Sequence, residues 1–182
     1  MNDKRLMKIF IYSAVCAALF LSGCAADTPT ANNSAANSNA RTNSAPAAAN
    51  ADSGLKTLKS QNNFEETYAK LKSAVEKNEA LKIIAEINHA ENAEKSGLTL
   101  RPTKLIIFGN PKLGTPLMQQ SQTLAIDLPQ KMLVYETETG EVFVAYNDPL
   151  YLAKRHNVSE SREEFTKIAS ALKTLAETAT GK

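Results

Sequence analysis

The sequence has few of the residues that most often carry chemistry, with two cysteines, two histidines and no tryptophan among 182 residues. A metal centre needs three or four ligands at suitable spacing. His89 and His156 lie far apart in the chain, and adding Asp148 as a third ligand still makes no metal motif. A nucleophile elbow, a phosphate-binding glycine loop and a zinc-hydrolase signature are also missing. The sequence therefore predicts no cofactor and no complete catalytic centre.

The N-terminus has the organisation of an export signal. Basic side chains precede an apolar run from Ile9 to Leu21, which is shorter than the roughly 20 apolar residues of a membrane-spanning helix. Residues 21–24, Leu-Ser-Gly-Cys, follow directly and resemble the lipobox of bacterial lipoproteins, in which the cysteine is acylated and the chain is cut before it. The resemblance implies a signal peptide over 1–23 and a lipid on Cys24. The alternative is an ordinary cleavable signal with an incidental cysteine.

Removal of such a signal would change both the cysteine content and the charge. Cys16 lies inside the apolar run, so the mature chain keeps Cys24 alone and forms no disulfide or cysteine-based zinc site. Segment 1–23 holds three of the 21 basic and one of the 19 acidic residues, which leaves a formally neutral mature chain. A neutral chain without a basic run gives no support for nucleic-acid binding.

A lipid on Cys24 predicts the membrane as a partner and the cell envelope as the location. Each buried methylene contributes about 0.8 kcal/mol, and two acyl chains anchor a protein stably. In well-studied Gram-negative lipoproteins, an Asp directly after the cysteine favours the inner membrane, whereas here Ala25 and Ala26 precede Asp27. This difference favours the outer membrane, with the protein facing the periplasm.

Residues 24–54 have the composition of a tether. After Cys24 they are rich in Ala, Asn and Ser and contain no Leu, Ile, Val, Phe or Tyr. Such a segment cannot bury enough apolar surface to offset the entropy lost on ordering. As a flexible coil it would span roughly 30 Å. The folded domain is then predicted over 55–182, which is long enough for one hydrophobic core.

Strand and helix patterns are mixed along this domain. Strands are predicted over 55–60, 81–88, 104–108, 131–137 and 141–146, the last two forming a hairpin across Glu138-Thr139-Gly140. Helices are predicted over 63–77 and 90–96 and from Thr115, Asp148 and Ser161 onward. The pattern predicts an α+β fold, a single compact domain with an about five-stranded, mainly antiparallel sheet and helices packed on one face.

Capping residues mark the predicted helix starts. Asn63 with Glu66 and Ser161 with Glu164 have the spacing of capping boxes. Gly114-Thr115-Pro116 and Asp148-Pro149 place a proline directly after a capping side chain, where its missing N–H has no cost. In the last helix, Phe165, Ile168, Leu172 and Leu175 recur at helical spacing and predict a buried stripe.

Four segments in the same order resemble a known family. They are residues 86–90 (Glu-Ile-Asn-His-Ala), 107–111 (Ile-Phe-Gly-Asn-Pro), 114–118 (Gly-Thr-Pro-Leu-Met) and 146–149 (Tyr-Asn-Asp-Pro), the last followed by Leu152 and His156. From about Asn63 to Val158 the chain resembles the family called domain of unknown function 302. The resemblance implies a small α+β domain that is often dimeric, so a homodimer is expected. It implies no activity, because none is established for the family.

Three residues are candidates for acid–base chemistry, namely His89, Asp148 and His156. His89 stands where a strand ends and a helix begins, a position that often lines a pocket in α+β domains. His156 lies in the last turn of its helix, where an imidazolium also complements the helix dipole. Asp148 before Pro149 at a helix start is explained fully by capping.

Ligand binding is predicted near the proline-started helices. The Gly-Asn-Pro turn at Asn110 and the helix starts at Thr115 and Asp148 would gather free N–H groups, which suit a carboxylate or another small anion. Lys131 would add positive charge. The predicted ligand-binding residues are His89, Asn110, Thr115, Lys131, Asn147, Asp148 and His156.

The function predicted from the sequence is a non-catalytic domain of an envelope lipoprotein that binds a small ligand or a protein partner near His89, Asn110 and Asp148. One alternative is an envelope enzyme that uses His89 or His156 with Asp148 as an acid–base pair. A weaker alternative is a metal- or haem-binding protein.

Overall fold

The computed structural model describes residues 53–182. The signal 1–23, the lipidation site Cys24 and the tether up to residue 52 lie outside the described residues. Five strands are formed by Leu55–Lys59 (β1), Lys82–Asn88 (β2), Thr103–Gly109 (β3), Gln130–Glu136 (β4) and Val142–Asn147 (β5). The helices are Phe64–Glu76 (α1), His89–Lys95 (α2), Pro111–Gln120 (α3), Pro149–Arg155 (α4) and Glu163–Thr180 (α5), with a 3₁₀ helix over Gln122–Ile126.

All five strands join one sheet in the order β1-β5-β4-β3-β2, and every neighbouring pair is antiparallel. The β4–β5 hairpin turns over Glu138-Thr139-Gly140 as predicted, and Gly140 has a φ of 77°. The N–H of Thr137 donates to the carbonyl of Glu141 at 2.8 Å and closes this hairpin. The predicted α+β fold with a five-stranded sheet is therefore confirmed.

The strand register defines two ends of the sheet. At one end, called the α4 end, β1 begins beside the end of β5, because Leu55 pairs with Asn147. The start of β4 and the end of β3 also lie there, because Gln130 pairs with Phe108. The opposite end, called the hairpin end, carries the β4–β5 turn and α2. Loops that follow β3 and β5 therefore lie at the α4 end, and the loop that follows β2 lies at the hairpin end.

The core lies between one face of the sheet and two helices. Alternate residues of the central strands, such as Ile106, Met132 and Val144, are fully buried on this face. Leu71 of α1 and Leu172 of α5 are buried against them, and α1 and α5 also contact each other. The apolar stripes predicted for both helices therefore face the sheet, as an amphipathic helix requires.

The opposite face of the sheet is also apolar. Because side chains alternate along a strand, it carries Leu105, Ile107, Leu133, Tyr135 and Phe143. These residues are half-buried. The rings of Tyr135 and Phe143 stack with their centroids 5.7 Å apart. Burial raises the pKa of the Tyr135 hydroxyl.

Asn63 caps α1 as predicted, since its side chain accepts from the N–H of Glu66 at 2.9 Å. The predicted helix start at Gly114-Thr115-Pro116 is wrong. α3 begins earlier, at Pro111, and the Asn110 side chain caps it by accepting from the N–H of Lys112 at 2.9 Å. Asn110-Pro111 is itself a cap followed by proline, so the helix starts at the first such pair.

The capping box predicted for Ser161 and Glu164 is also wrong. α5 begins at Glu163, and its cap residue Arg162 makes no side-chain capping bond. The Ser161 hydroxyl instead lies 2.8 Å from the Ser159 hydroxyl, and Glu164 pairs with Arg162 at 2.8 Å. Side-chain partners within the loop have replaced the expected bonds to the helix backbone.

The chain enters the fold at the α4 end. Gly54 has a φ of 67°, and its carbonyl accepts from the N–H of Asp148 at 2.7 Å. A Cβ at this position would overlap the ring of Tyr151 on α4. Glycine is therefore needed both for the left-handed backbone and for the close approach of the chain to α4.

Candidate functional site

A cavity of about 190 Å³ lies at the α4 end between α3, α5 and the segment that leads into β4. Its walls are almost wholly apolar and are formed mainly by Phe108, Leu113, Met118, Leu128, Ile168 and Leu172. Phe108 and Leu172 also belong to the buried core. The buried core therefore forms the floor of the cavity, and connecting segments form its rim.

The turn between β3 and α3 forms part of this rim. A Cβ on Gly109 would come within 3.2 Å of the Pro129 Cβ, so glycine lets the two segments approach closely. Asn110 lines the cavity, and its carbonyl accepts from the N–H of Gly114 at 3.0 Å. The predicted ligand residue Asn110 thus lies at the cavity, but its side-chain oxygen already caps α3.

Gly114 leaves the cavity open on the side of α3. A Cβ there would lie 3.7 Å from Leu128 Cδ1 and 4.0 Å from Met118 Cε, which are ordinary contact distances. No clash excludes a side chain at this position, so any added atoms would take up cavity space. Thr115, another predicted ligand residue, lines the cavity beside Gly114 and is otherwise exposed.

His156 is bound to the segment that forms another cavity wall. Its side chain is only 6% exposed. Its Nε2 lies 2.6 Å from Asp127 Oδ2, and its Nδ1 lies 2.9 Å from Thr123 Oγ1. The two residues after Asp127, Leu128 and Pro129, line the cavity. The His156–Asp127 pair therefore holds α4 and the cavity wall together.

In the alternative of an envelope enzyme, His89 or His156 would pair with Asp148, but the carboxylate beside His156 in the structure is that of Asp127. Asp148 Oδ1 accepts from the N–H of Leu150 at 3.0 Å, and its Oδ2 lies 3.0 Å from Lys56 Nζ. Asp148 is thus a helix cap that also forms an ion pair. Asp127 was missed because no local sequence signal marks it; the fold brings it to His156.

Two further predicted site residues lie apart from the cavity. His89 begins α2 at the hairpin end and is half-buried. Asn147 ends β5 opposite Leu55. Because β2 and β3 are antiparallel, the end of β2 is far along the sheet from the end of β3. The structure therefore does not bring His89, Asn110 and Asp148 into one cleft.

Lys131 stabilises the cavity wall. Its ammonium donates to the carbonyls of Asp127 at 2.9 Å and Pro129 at 3.1 Å. Burial lowers the pKa of the Lys131 ammonium, and the Asp127 carboxylate opposes this effect. The positive charge that the sequence assigned to ligand binding is thus used to hold the segment that precedes β4.

A second, more polar depression of about 420 Å³ lies toward the hairpin end, between α1, β2 and α2. The Tyr68 hydroxyl and the Lys72 ammonium both donate to the Glu86 carboxylate at 2.7 Å. Burial and then the hydrogen bond to Glu86 raise the pKa of Tyr68. The hydrogen bond from Lys72 lowers the pKa of Glu86. The polar groups of this depression therefore satisfy one another.

Within residues 53–182, His, Asp and Glu side chains form no group of three that could hold a metal ion. No helix in this described part is both long enough and apolar enough to cross a bilayer.

The chain is similar in sequence to Brucella proteins named as fluoride channels. Over 118 residues it is 40% identical to "Fluoride-specific ion channel FluC 1" of Brucella suis and to "Fluoride-specific ion channel FluC 2" of Brucella melitensis. The match covers 65% of this chain but 46% and 43% of those two proteins. The chain therefore spans less than half the length of these curated relatives.

The fold is similar to the crystal structure of an uncharacterized conserved DUF302 protein from Bacillus stearothermophilus. The TM-score is 0.62 at 18% identity, with 70% of this chain and 98% of that chain covered. The family model described as "Domain of unknown function DUF302" matches residues 56–177. Together with the four sequence segments, this match shows that the chain belongs to the DUF302 family.

Proposed function

We propose that the folded domain binds a small apolar molecule, without catalysis, in the cavity at the α4 end. The observation that carries this proposal is the lining of the cavity, where apolar side chains surround the space. Small-molecule sites are usually concave and mostly apolar, with a few polar groups that orient the ligand. Burial of apolar ligand surface there contributes roughly 25 cal/mol per Å².

The size of the cavity limits the ligand. An engineered apolar cavity of about 150 Å³ stays dry and binds benzene. A cavity of about 190 Å³ therefore suits one ring or a short stretch of an acyl chain. Thr115 and Asn110 lie on its lining and would meet the polar end of such a molecule.

The same lining disfavours a small anion. The helix starts in the sequence suggested such a ligand, and the Brucella relatives are named for one, fluoride. An anion among Leu113, Met118 and Leu128 would lose its hydration without gaining hydrogen-bond donors, and burying an unpaired charge is costly. The N–H of Lys112 and the ammonium of Lys131 already have partners. We therefore propose an apolar ligand rather than fluoride.

The environment of His156 favours binding over acid–base catalysis. Asp127 and Thr123 engage both nitrogens of its imidazole, and the side chain is nearly buried. A general base must reach a substrate proton directly or through one water. With both nitrogens engaged, we assign His156 a structural role at the cavity wall.

The proposed location is the cell envelope, where lipid on Cys24 would hold the domain at the outer membrane facing the periplasm. The sequence over 21–24 and the polar tether composition support this proposal. Mass spectrometry of the purified protein should find a mature chain that begins at an acylated Cys24. An unmodified Cys24, or a mature chain that begins elsewhere, would contradict it.

A homodimer is a separate proposal, supported by the apolar sheet face that carries Leu105, Leu133 and Phe143. A stable interface buries about 800 Å² on each partner, and apolar cores are typical of permanent homodimers. Sedimentation should show association that Leu133→Lys weakens, since a charge would replace a half-buried apolar side chain. A monomer at every concentration would contradict the proposal.

The ligand proposal is tested by titrating fragment 53–182 with octanoate in a calorimeter. The fragment contains the complete described core, and its cooperative thermal unfolding is measured first to establish that it folds. Octanedioate is the matched control ligand, since it has the same chain length with a carboxylate at both ends. We expect octanoate to bind with a negative heat-capacity change and octanedioate to bind far more weakly.

A variant pair locates the binding. Ala171 lines the cavity on α5, whereas the neighbouring Ser170 is exposed. Ala171→Leu should fill the space and abolish octanoate binding, while Ser170→Leu should leave it unchanged. Equal binding by octanoate and octanedioate, or full binding by Ala171→Leu, would contradict the proposal.

A further inference from the structure

The two ends of the sheet differ in charge. Exposed or half-exposed carboxylates cluster at the hairpin end, namely Glu91, Glu94, Glu136, Glu138 and Glu141. Basic side chains cluster at the α4 end, namely Lys56, Lys82, Lys112, Lys154 and Arg155. Counter-charges occur at both ends, but the α4-end aspartates are largely covered, with side chains 12% exposed for Asp127 and 22% for Asp148. Glu76, Glu79, Glu160 and Glu163 are exposed acids near that end. Of the basic residues there, Lys56, Lys154 and Arg155 pair with Asp148, Glu160 and Asp127, respectively.

Large apolar side chains are exposed among these basic residues. Ile126 of the 3₁₀ helix is 73% exposed, and Leu150 and Tyr151 of α4 are 39% and 38% exposed. Leu55 at the start of β1 is 42% exposed. A surface with apolar residues among lysine and arginine has the composition that binds the interface of an anionic membrane.

The described part of the chain also begins at the α4 end. Segment 1–52, which carries Cys24, joins the described fold at Ser53, and the Gly54 carbonyl bonds to the first residue before α4. Whatever holds residue 24 is therefore joined to the α4 end.

We propose that the α4 end docks on a bilayer that contains anionic lipids, with Ile126 and Leu150 in the interface and the end of an acyl chain in the cavity. The acyl-chain part rests on the ligand binding proposed above. The cavity lies at the docking end, because the end of β3 and the start of β4 contribute to its lining. The ligand would thus pass from the bilayer into the cavity.

Charge selects this end over the other. Anionic headgroups attract lysine and arginine and repel carboxylates over about a Debye length. Leu98 and Leu100 at the hairpin end are also exposed, at 67% and 47%, but they lie beyond the acidic helix α2. Docking can be weak and still persist, because the lipid proposed on Cys24 would keep the membrane close to the domain and so raise its effective concentration.

The test uses the full chain, reconstituted in vesicles of phosphatidylethanolamine and phosphatidylglycerol that include a phosphatidylglycerol with a photoreactive acyl chain. Crosslinked peptides are mapped by mass spectrometry. We expect crosslinks within 111–129 and 148–156 and few within 91–101 and 137–141. Raising the salt concentration should reduce them, because screening weakens surface electrostatics.

Two matched variants sharpen the test. Ile126→Ser should lower the crosslinking of the α4 end about tenfold, the equivalent of removing one apolar side chain from the interface. Leu98→Ser, at an equally exposed apolar position, should have no effect. Crosslinks centred on the hairpin end, equal labelling of both ends, or an unchanged yield in Ile126→Ser would overturn the docking proposal.

The Ala171→Leu variant separates docking from ligand binding. If docking and cavity binding are both correct, this variant keeps crosslinks at Ile126 but loses those at Leu113 and Met118 inside the cavity. If octanoate binds fragment 53–182 but the full chain shows no preference between the two ends, only the docking proposal fails. If octanoate does not bind while the α4 end is crosslinked, the cavity proposal fails and docking stands.

Discussion

The cavity at the α4 end and the depression at the hairpin end differ in the chemistry of the side chains that line them. The depression is larger, about 420 Å³ against about 190 Å³, yet Tyr68, Lys72 and Glu86 already satisfy one another within it. The cavity is smaller, and apolar groups such as those of Leu113 and Met118 line it. A void beside apolar atoms forfeits dispersion contacts that a ligand can restore. The two concave surfaces therefore differ in their chemistry as well as in their size.

The cavity has a fixed floor and a rim held by specific bonds. Phe108 and Leu172 come from the core, whereas Asp127 and its neighbours are fixed by His156 and Lys131. Polar residues such as His156 and Lys131, which the sequence suggested for catalysis or ligand binding, thus stabilise the segments around an apolar cavity.

The largest effect is expected from Leu117→Ala, which removes the single side chain of α3 that is fully buried. Loss of this contact should lower the free energy of unfolding by about 3 kcal/mol, which lies within the range for buried leucines. Met118→Ala is the control, since Met118 lines the cavity and is half-exposed. Denaturant unfolding of both variants measures the difference. Equal losses would show that α3 is not held to the core by Leu117.

A smaller difference is expected between two glycines with similar backbone angles at opposite ends. Gly54 has a φ of 67° and faces the Tyr151 ring, whereas Gly97 has a φ of 72° and no atoms near a built Cβ. Gly97→Ala should cost about 1 kcal/mol, from backbone strain alone. Gly54→Ala should cost more, because the methyl group also displaces Tyr151. Thermal unfolding compares the two, and an equal cost would contradict the tight packing of the chain against α4.

The smallest effect is expected in the polar depression. Tyr68→Phe removes one hydrogen bond to Glu86 and should cost about 1 kcal/mol near neutral pH. The pKa of Tyr68 is raised in the folded protein, so its contribution is complete below the ordinary tyrosine value of about 10. It is lost as the pH rises through the higher folded value.

The stability difference between wild type and Tyr68→Phe should therefore shrink above pH ~10. Denaturant unfolding at several pH values measures it, and the other tyrosines cancel because both proteins contain them. A difference that stays constant with pH would contradict the assigned pairing of Tyr68 with Glu86.

Much of the fold could be predicted because its signals are local. The alternation in β3 to β5, the glycine turn between β4 and β5, and the Asn63 cap each depend on residues a few positions apart. The start of α3 was misplaced because Asn110-Pro111 and Thr115-Pro116 offer the same local pattern, and only one can begin the helix.

The site was harder to predict because its residues meet only through tertiary packing. Asn110 and Thr115, which the sequence suggested from helix-start patterns, both line the cavity, although only the pattern at Asn110 begins a helix. The partnership of Asp127 with His156 joins the residue after the 3₁₀ helix to the end of α4, and no spacing rule connects them. Ile168 and Leu172 of α5 line the cavity and also belong to the core. The sequence therefore identified them only as core residues.

The most direct test of the central claim is a crystal structure of fragment 53–182 under xenon pressure, because xenon enters dry apolar cavities and avoids polar, hydrated ones. We expect a xenon atom among Leu113, Met118 and Leu128 and none beside Glu86. Ala171→Leu should remove that atom while leaving the backbone unchanged. A cavity filled with ordered water, or xenon bound only at the hairpin end, would contradict the claim that the α4 end holds the apolar binding site.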